Sequence, residues 1–369
     1  MDEKDRESAP PSVGSAGVSE GSEGSVGNRF PSEDVPSSAT IRDVAELAGV
    51  SVASVSRYLN KKGYVGQETA ARIEAAIQAL KFEPNVVARN LARGRSGMIA
   101  ILVSDLENPF FTLLLKAVTE EAAREGYGVL VWTCGQRKGR TLADLARRRF
   151  VDGLIVAAHG ISQEELRVLE RHGIPMVMLD RAPSYSKSVA LRVRDRQGAR
   201  KAVRHLWEQG YRTIAHVTGP LGYVPARERL GGYMEGLLEV GAEHGPIFVE
   251  SDFTFRGGMA AARRLFLEHP EVDAVFAAND LMALGILKFA VRQGRRVPED
   301  VGIVGYDGIP LTEMSEPELS TVAQPIEQLG QKAVTVVLSL LEDPRREPRE
   351  VWFDVTLVAR SSSRRREDA

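Results

Sequence analysis

The sequence predicts an α/β protein in which a small helical head precedes a larger body of parallel β-sheets. Three observations indicate this class. Residues 40–81 hold short amphipathic helical segments around a glycine-containing turn. From residue 98 onward, apolar runs alternate with amphipathic helical stretches, the pattern of a parallel sheet with helical crossovers. The length of 369 residues exceeds one typical domain and predicts two or three.

The first 39 residues differ in composition from the rest. They are rich in Ser, Gly, Pro and Glu, with little large apolar material beyond Phe30, so they cannot bury enough surface to fold. We expect a disordered tail, either an inert extension or a regulatory segment. This tail has three Lys and Arg residues and eight Asp and Glu residues, whereas residues 40–96 have nine Lys and Arg residues and five Asp and Glu residues. The net charge of −2 therefore hides a basic head, which favours contact with nucleic acid.

The head begins with two predicted short helices. Thr40 and Asp43 form a capping-box-like start, and Gly49 can adopt the positive φ that ends the first helix. The second helix, residues 52–59, would bury Val55 and Leu59, and a third over residues 67–81 would close the small core. Two helices joined by such a turn are typical of a helix-turn-helix, although a generic helical hairpin is the alternative.

The outward face of the second helix carries small and polar side chains that fit a DNA major groove. Arg57 is long enough to reach a guanine edge or a phosphate. Ser51 can cap this helix as well as approach DNA. The residues of the head predicted to contact DNA are Ser51, Val52, Ala53, Ser54, Ser56, Arg57 and Asn60.

A hinge segment follows the head. Pro84 ends the third helix, and Asn85 can cap another helix that is too short to be stable alone. This segment is either an ordinary linker or a helix that forms when two copies pair and insert into the minor groove. In the second case Asn85, Ala88 and Leu91 would contact DNA, with Leu91 as the wedge.

Four sequence phrases, DVA-LAGVS, VSR-LN, PN-VAR-L and NPFF, occur in the order and at the spacing of one known family. Residues 40–96 resemble the DNA-binding head of the lactose/purine-repressor (LacI-type) family of bacterial transcription regulators, and the similarity continues to about residue 362. The resemblance implies a repressor that binds near-palindromic, double-stranded operator DNA as a homodimer. It also implies that a small effector, a sugar or sugar derivative, controls this binding.

The family's body has a periplasmic-binding-protein-like fold, in which two parallel-sheet subdomains are joined by several chain crossings. The resemblance implies a helix-turn-helix domain at 40–83, a hinge at 84–97, a core at 98–362 and a tail at 363–369. Subdomain 1 would comprise 98–193 and 324–350, and subdomain 2 would comprise 194–323 and 351–362, with a last strand at 351–358. The apolar runs predict the other strands at 98–104, 127–133, 153–157, 175–179, 189–193, 213–217, 274–277 and 302–305.

A ligand site is expected beyond the carboxyl ends of the strands, where open parallel sheets bind ligands. Carboxylates, amides and an arginine can bind paired hydroxyls, and aromatic faces can cover a sugar ring. The predicted effector-binding residues are Asn108, Phe110, Phe111, Asp180, Arg181, Tyr223, Arg229, Phe253, Asn279 and Asp307. Arg229 and Asp307 also match the family's effector-binding positions. For the others an ordinary role is the alternative, as a helix cap or a packed ring.

Three features depart from the family pattern. Gly66 stands where a serine commonly caps the third helix, a change that glycine largely tolerates. Arg196 would place a large cation at the edge of the ligand pocket. The stretch 135–149 is short and basic, and it is either a solvated loop or a site for an anionic effector; its basic residues are Arg137, Lys138 and Arg140.

Other functional classes receive little support. The lone Cys134 excludes an internal disulfide and fits a reducing compartment. Neither an export leader nor an apolar run of about 18 residues is present, so we expect a cytoplasmic protein without membrane contact rather than an exported sugar-binding transport protein. The six histidines lack metal-ligand spacing and no catalytic or nucleotide-binding motif occurs, so we expect no enzyme, cofactor or metal. The chain ends soon after Arg360 without a leucine heptad, which predicts a dimer rather than a tetramer.

Overall fold

The computed structural model describes residues 39–59, 63–82, 95–133, 150–158, 161–180, 188–343 and 350–365. The chain divides into two compact units, Met1–Pro84 and Asn85–Ala369. The first unit contains the helical head and the second contains the body. Among the described residues, no helix combines the length and apolar character needed to cross a membrane.

The head contains three helices, α1 (Ile41–Ala48), α2 (Val52–Leu59) and α3 (Gln67–Ala79). The predicted capping box is confirmed, because the Thr40 amide donates to Asp43 Oδ2 at 2.7 Å and the Thr40 hydroxyl accepts from the Asp43 amide. Gly49 ends α1 with φ at 60°, as predicted. Ser51 Oγ accepts from the Ser54 amide at 3.1 Å and so caps α2. The fully buried residues between the helices are Val44, Val55 and Ile73.

The body contains helices packed on two sheets. The first passage of the chain forms β1 (Met98–Val103), α4 (Pro109–Arg124), β2 (Gly128–Thr133), β3 (Gly153–Ala157), α5 (Gln163–Arg171), β4 (Met176–Leu179) and β5 (Ser188–Val193). The second forms α6 (Asp195–Glu208), β6 (Ile214–Thr218), α7 (Val224–Val240), β7 (Ile247–Glu250), α8 (Phe255–Glu268), β8 (Ala274–Ala277), α9 (Asp280–Arg292), β9 (Gly302–Asp307), a 3₁₀ turn (Pro310–Thr312) and β10 (Ser320–Ala323). The last elements are α10 (Ile326–Glu342), β11 (Glu350–Phe353) and β12 (Thr356–Val358).

Each sheet has six strands, in the orders β11-β5-β4-β3-β1-β2 and β12-β10-β9-β8-β6-β7. Neighbouring strands among those described pair in parallel, except that β10 and β12 are antiparallel. Strands β3 and β8 are buried along their whole length, which explains their unbroken apolar sequence. The predicted fold class is confirmed. Parallel strands end at one edge of each sheet, so the residues that follow them are brought together.

The chain crosses between the subdomains after β5, after β10 and after β11 in the part of the chain that is described. The prediction of one strand over 351–358 is wrong. Strand β11 pairs in parallel with β5 of the first sheet, whereas β12 pairs with β10 of the second, and Asp354 and Val355 lie between them. The apolar pattern alone cannot reveal a change of pairing partner, so the assignment of 351–353 to subdomain 2 is also wrong.

Candidate functional site

A cavity of about 170 Å³, here termed the central cavity, lies between the two subdomains. It opens at the carboxyl edges of both sheets, where the preceding strands deliver polar loop residues. Nine of the ten predicted effector-binding residues line it: Asn108, Phe110, Phe111, Asp180, Tyr223, Arg229, Phe253, Asn279 and Asp307. The tenth, Arg181, lies outside the described residues.

Arg229 of α7 forms a buried ionic cluster in the cavity wall. Its Nε donates to Asp195 Oδ1 at 2.8 Å, and its Nη1 lies 3.5 Å from Asp307 Oδ1. The same Nη1 donates to the Ala278 carbonyl, and the guanidinium carbon lies 3.7 Å from the centroid of the Tyr306 ring. Burial disfavours the charge on Arg229, but Asp195, Tyr306 and Asp307 together outweigh this effect, and the pKa of Arg229 is raised. The cavity wall therefore keeps a fixed guanidinium charge.

Asp307 ends β9 with φ at 114°, a conformation that costs a non-glycine residue about 1–3 kcal/mol. Three hydrogen bonds hold this strained turn. Gln324 Nε2 donates to Asp307 Oδ1 at 2.8 Å, and the next two amides donate to Asp280 Oδ2 at 2.7 and 2.9 Å. Burial raises the pKa of Asp307 to about 7, against the opposing effect of Arg229. The carboxyl is thus positioned by the fold before any ligand arrives.

Two asparagines begin helices at the cavity. Asn108 Oδ1 accepts from the Phe110 amide at 3.0 Å at the start of α4. Asn279 Oδ1 accepts from the Met282 amide at 2.9 Å at the start of α9, and its Nδ2 donates to the Phe253 carbonyl at 2.9 Å. The capping role offered as an alternative for such residues is therefore present at both positions. Capping fixes each side chain against the cavity wall, so it is compatible with ligand contact.

Aromatic rings form the apolar part of the wall. Phe110 and Phe111 meet edge to face with centroids 5.2 Å apart. Tyr223 and Phe253 lie with their planes 4° apart and their centroids separated by 6.4 Å. A Cβ at Gly219 would lie 2.1 Å from Cζ of Phe253, so this glycine is required for the Phe253 ring to occupy its place. Flat rings on both subdomains suit the C–H faces of a sugar.

Asp180 follows β4 and has φ at 56°, a left-handed conformation that Asp tolerates better than most residues. Its amide donates to the Leu191 carbonyl at 3.0 Å. Burial raises the pKa of Asp180 to about 7, and the nearby Asp195 carboxylate adds to this, while Arg229 opposes it. Near neutral pH this carboxyl is therefore partly protonated, whereas an ordinary aspartate is ionised.

The head presents a second surface of interest. Val52, Ala53 and Arg57 are exposed on α2, whereas Ser54 and Ser56 are half-buried. Arg57 Nε donates to the Ala53 carbonyl at 3.3 Å, which leaves the guanidinium end of the side chain at the surface. The face therefore combines short side chains with one long cation. The other predicted DNA contacts, Asn60, Asn85, Ala88 and Leu91, lie outside the described residues.

Comparison with known proteins identifies both regions. Residues 40–85 match the family model for bacterial regulatory proteins of the lacI family, and residues 203–363 match a periplasmic binding protein-like domain. The ribose operon repressor of Halalkalibacterium halodurans is 38% identical over 327 residues, which cover 88% of this chain and 97% of that repressor. This chain belongs to the LacI family. It is a DNA-binding transcriptional regulator with a helix-turn-helix head and a periplasmic-binding-protein-like body, as the sequence predicts.

Solved structures of the LacI family agree with this assignment. The lac repressor dimer bound to operator and the anti-inducer ONPF is 29% identical, with a TM-score of 0.75, and the match covers 88% of this chain and 99% of that one. A LacI family transcriptional regulator from Enterococcus faecium with bound ribose is 31% identical, with a TM-score of 0.66. The match covers 72% of this chain and 98% of that one.

Six further residues of this LacI-family chain line the central cavity: Ser104, Asp105, Pro225, Asp252, Thr254 and Gln324. Asp105 comes soon after β1, where the strand-end rule places ligand-facing residues. The strand-end rule could not predict Gln324, because this residue follows β10, a short strand with the sequence STVA that has no strong apolar pattern. Its position depends on the second chain crossing, which composition does not reveal.

The expectations for the three unusual features have different outcomes. Arg196 does not line the central cavity but a neighbouring cleft, and its guanidinium pairs with Glu228 at 3.0 Å and Glu235 at 2.6 Å on α7. Both partners are distant in sequence, so the pairing was not visible there. Gly66 stands at the start of α3 without a side-chain cap. The basic loop with Arg137, Lys138 and Arg140 lies outside the described residues.

Proposed function

We propose that this LacI-family chain is a repressor that binds a near-palindromic operator as a homodimer, and that a monosaccharide of the ribose type in the central cavity controls this binding. The observation that carries the proposal is the buried Arg229–Asp195–Asp307 cluster, which faces a small cavity with aromatic walls. The proposed role is regulation of transcription in the cytoplasm, and catalysis has no part in it.

The cluster offers the hydrogen bonds that a sugar needs. Arg229 uses Nε and Nη1 within the protein, and no described residue accepts from its Nη2. Asp307 receives Gln324 on Oδ1, and its carboxyl has further acceptor capacity. A guanidinium and a carboxyl on one wall can bind neighbouring hydroxyls from opposite sides, one by donating and the other by accepting.

The size of the cavity favours a single sugar ring. At roughly 30 Å³ per water, 170 Å³ corresponds to about six waters, below the roughly 300–1,000 Å³ of sites for drug-sized ligands. A disaccharide or a nucleoside would require a wider opening between the subdomains. The ribose operon repressor of Halalkalibacterium halodurans and the ribose-bound Enterococcus faecium regulator support ribose as the first effector to test.

Because both subdomains contribute residues to the wall of the central cavity, a bound sugar could control DNA binding. Asn108, Phe110 and Asp180 belong to the first subdomain, whereas Arg229, Asn279 and Asp307 belong to the second. A sugar that contacts both sets binds one arrangement of the subdomains better than another and shifts the population toward it. Through the hinge segment this shift would change the pairing of two heads on the operator. The solved lac repressor, a dimer bound to operator, supports a dimeric mode of DNA binding.

The test uses the full-length protein and begins by finding the operator. Selection from random double-stranded DNA should enrich a near-palindrome, which then serves in mobility-shift assays with and without ribose, glucose, cellobiose and a nucleoside. We expect ribose alone to shift both the melting temperature and the operator affinity. Enrichment of no palindrome would refute DNA recognition, and failure of every monosaccharide to alter either measurement would refute the effector class.

A further inference from the structure

A second cleft, here termed the hinge cleft, lies beside two of the chain crossings. Its volume is about 410 Å³, and Asp180 belongs to its wall and to that of the central cavity. The side chains that characterise it are Arg192, Arg194, Arg196, Arg200, Trp352 and Asp354. Arg194 and Asp354 stand on the crossings that follow β5 and β11. Four guanidiniums line this cleft together with the carboxyl groups of Asp180, Asp195, Glu228 and Asp354, so an anion can bind the arginines only where a carboxylate gives way.

The arginines are engaged by carboxylates that a stronger anion can replace. Arg194 pairs with Asp354 at 3.0 Å, and the side chain of Asp354 is 80% exposed. Arg196 and Arg200 pair with carboxylates of α7, and Arg192 pairs with a carboxylate of β11; these partners are Glu228, Glu235, Glu239 and Glu350. Solvent-exposed ion pairs are weak, whereas a phosphate binds guanidinium groups in a bidentate manner. A phosphate can therefore compete for these arginines.

The start of α6 adds a further attraction for an anion. Arg194 is the N-cap of this 14-residue helix and provides no side-chain cap, and the first turn, residues 195–197, lines the cleft. The partial positive charge of a helix N-terminus favours a bound phosphate, and here it acts against the Asp195 carboxylate of the first turn, which pairs with Arg229. Arg200 Nε is buried and has no hydrogen-bond partner among the described residues. Because this atom has no exposed surface, the donors that Arg200 offers at the cleft are on the exposed remainder of its side chain, which is 38% exposed.

Trp352 holds two of the guanidiniums in place. The guanidinium carbons of Arg192 and Arg194 lie 4.5 and 5.5 Å from the centroid of its ring. Stacking on the indole restricts both side chains, so less conformational entropy is lost when they bind a ligand. Val193 and Val224 add apolar surface to the cleft.

We infer that the hinge cleft binds a small phosphate-bearing metabolite, which acts as a second ligand distinct from the sugar of the central cavity. The phosphate takes the place of Asp354 beside Arg194 and contacts Arg200 and the first turn of α6. Arg194 lies on a chain crossing between the two subdomains. Occupancy of the cleft therefore restricts the movement of the subdomains relative to each other, on which sugar-dependent control would depend. Asp180, which is common to both walls, places the two ligands near one another. The site itself does not require the sugar proposal to be correct.

The test measures anion binding to the full-length protein by isothermal titration calorimetry. The probes are inorganic phosphate and glycerol 3-phosphate, in chloride buffer at constant ionic strength. The double variant Arg194→Gln/Arg200→Gln should weaken binding of both probes by about tenfold or more, because each substitution removes a charged hydrogen-bond donor. Arg204→Gln is the matched control: Arg204 is on the same helix, pairs with the same Glu239 at 3.2 Å and lies outside the cleft. It should change binding less than twofold.

Three results would overturn the inference. The first is the absence of saturable heat with wild-type protein. The second is equal weakening by the Arg204→Gln control, which would reveal a general effect of net charge. The third is undiminished binding to the double variant, which would place the probe on the basic head or in the central cavity instead. Circular dichroism of each variant confirms that the fold is retained, as expected for exposed ion pairs.

Discussion

Replacing Asp180 by Asn should stabilise the protein at alkaline pH and leave its stability unchanged at acid pH. Asp180 has a pKa raised from 3.8 to about 7 by burial and by Asp195. Asn is close in shape and also tolerates the observed φ of 56°. The substitution therefore removes the buried charge without disturbing the turn.

The magnitude follows from linkage between protonation and folding. Below about pH 4, the carboxyl is protonated in the folded and unfolded states and contributes nothing to pH dependence. Between about pH 4 and 7, the unfolded chain loses the proton while the folded protein keeps it, so stability falls as pH rises. At about 1.4 kcal/mol per pKa unit, the full destabilisation above pH 7 is roughly 4 kcal/mol. Since Asp180 is only half-buried and borders two cavities, we expect Asp180→Asn to recover about 1–3 kcal/mol at pH 8.

Urea unfolding followed by circular dichroism at pH 5 and pH 8 measures the effect. Asp105→Asn is the control, because Asp105 lies on the same cavity wall and its Oδ1 accepts from the Glu107 amide at 2.8 Å. Its effect on stability should be the same at both pH values. If Asp180→Asn instead lowers stability at pH 8, or changes it equally at both pH values, the buried charge is not the cause of the predicted pH dependence.

Three other substitutions, one of them with a control variant, test the head, the cavity and the hinge segment. Arg57→Ala should cost about 1–3 kcal/mol of operator binding and relax preference at one base pair; equal losses on operator and random DNA would contradict base readout. Asn279→Ala removes the cap of α9 and the hydrogen bond to the Phe253 carbonyl, so it should lower the free energy of unfolding by about 0.5–2 kcal/mol and also weaken ribose binding in calorimetry. Ser162→Ala, which removes the cap of α5, should match that stability loss without changing ribose affinity. Leu91→Ala should reduce operator affinity and DNA bending but preserve ribose binding, and unchanged bending in electrophoresis would exclude a wedge role.

The sequence predicts the ligand-facing residues well because their positions depend on topology rather than on side-chain detail. Asn108, Asn279 and Asp307 each come just after or at the end of a strand, and parallel strands of one sheet end at a common edge. The same local reasoning accounts for the first-helix cap at Thr40 and its end at Gly49. These features are encoded within a few residues of chain.

Features set by distant partners could not be predicted. Arg196 pairs with glutamates of another helix, which is adjacent in space but not in sequence. Strand β10 carries Ser320 and Thr321, whose hydroxyls donate to the Arg360 carbonyl and to Asp280 Oδ1 in remote parts of the chain. The sequence does not show these distant partners, so Ser320–Ala323 does not resemble a buried strand. The split of 351–358 between two sheets has the same cause.

That split has a consequence for biosynthesis. Strand β11 completes one edge of the first sheet and β12 completes one edge of the second, so nine residues near the end of the chain, 350–358, are needed by both subdomains. Because translation delivers the N-terminal part first, both sheets emerge from the ribosome with an unpaired edge, β5 in one and β10 in the other. Until the final strands arrive, these edges are open to pairing with a neighbouring nascent chain. Premature termination before residue 350 would therefore leave two aggregation-prone edges in one molecule.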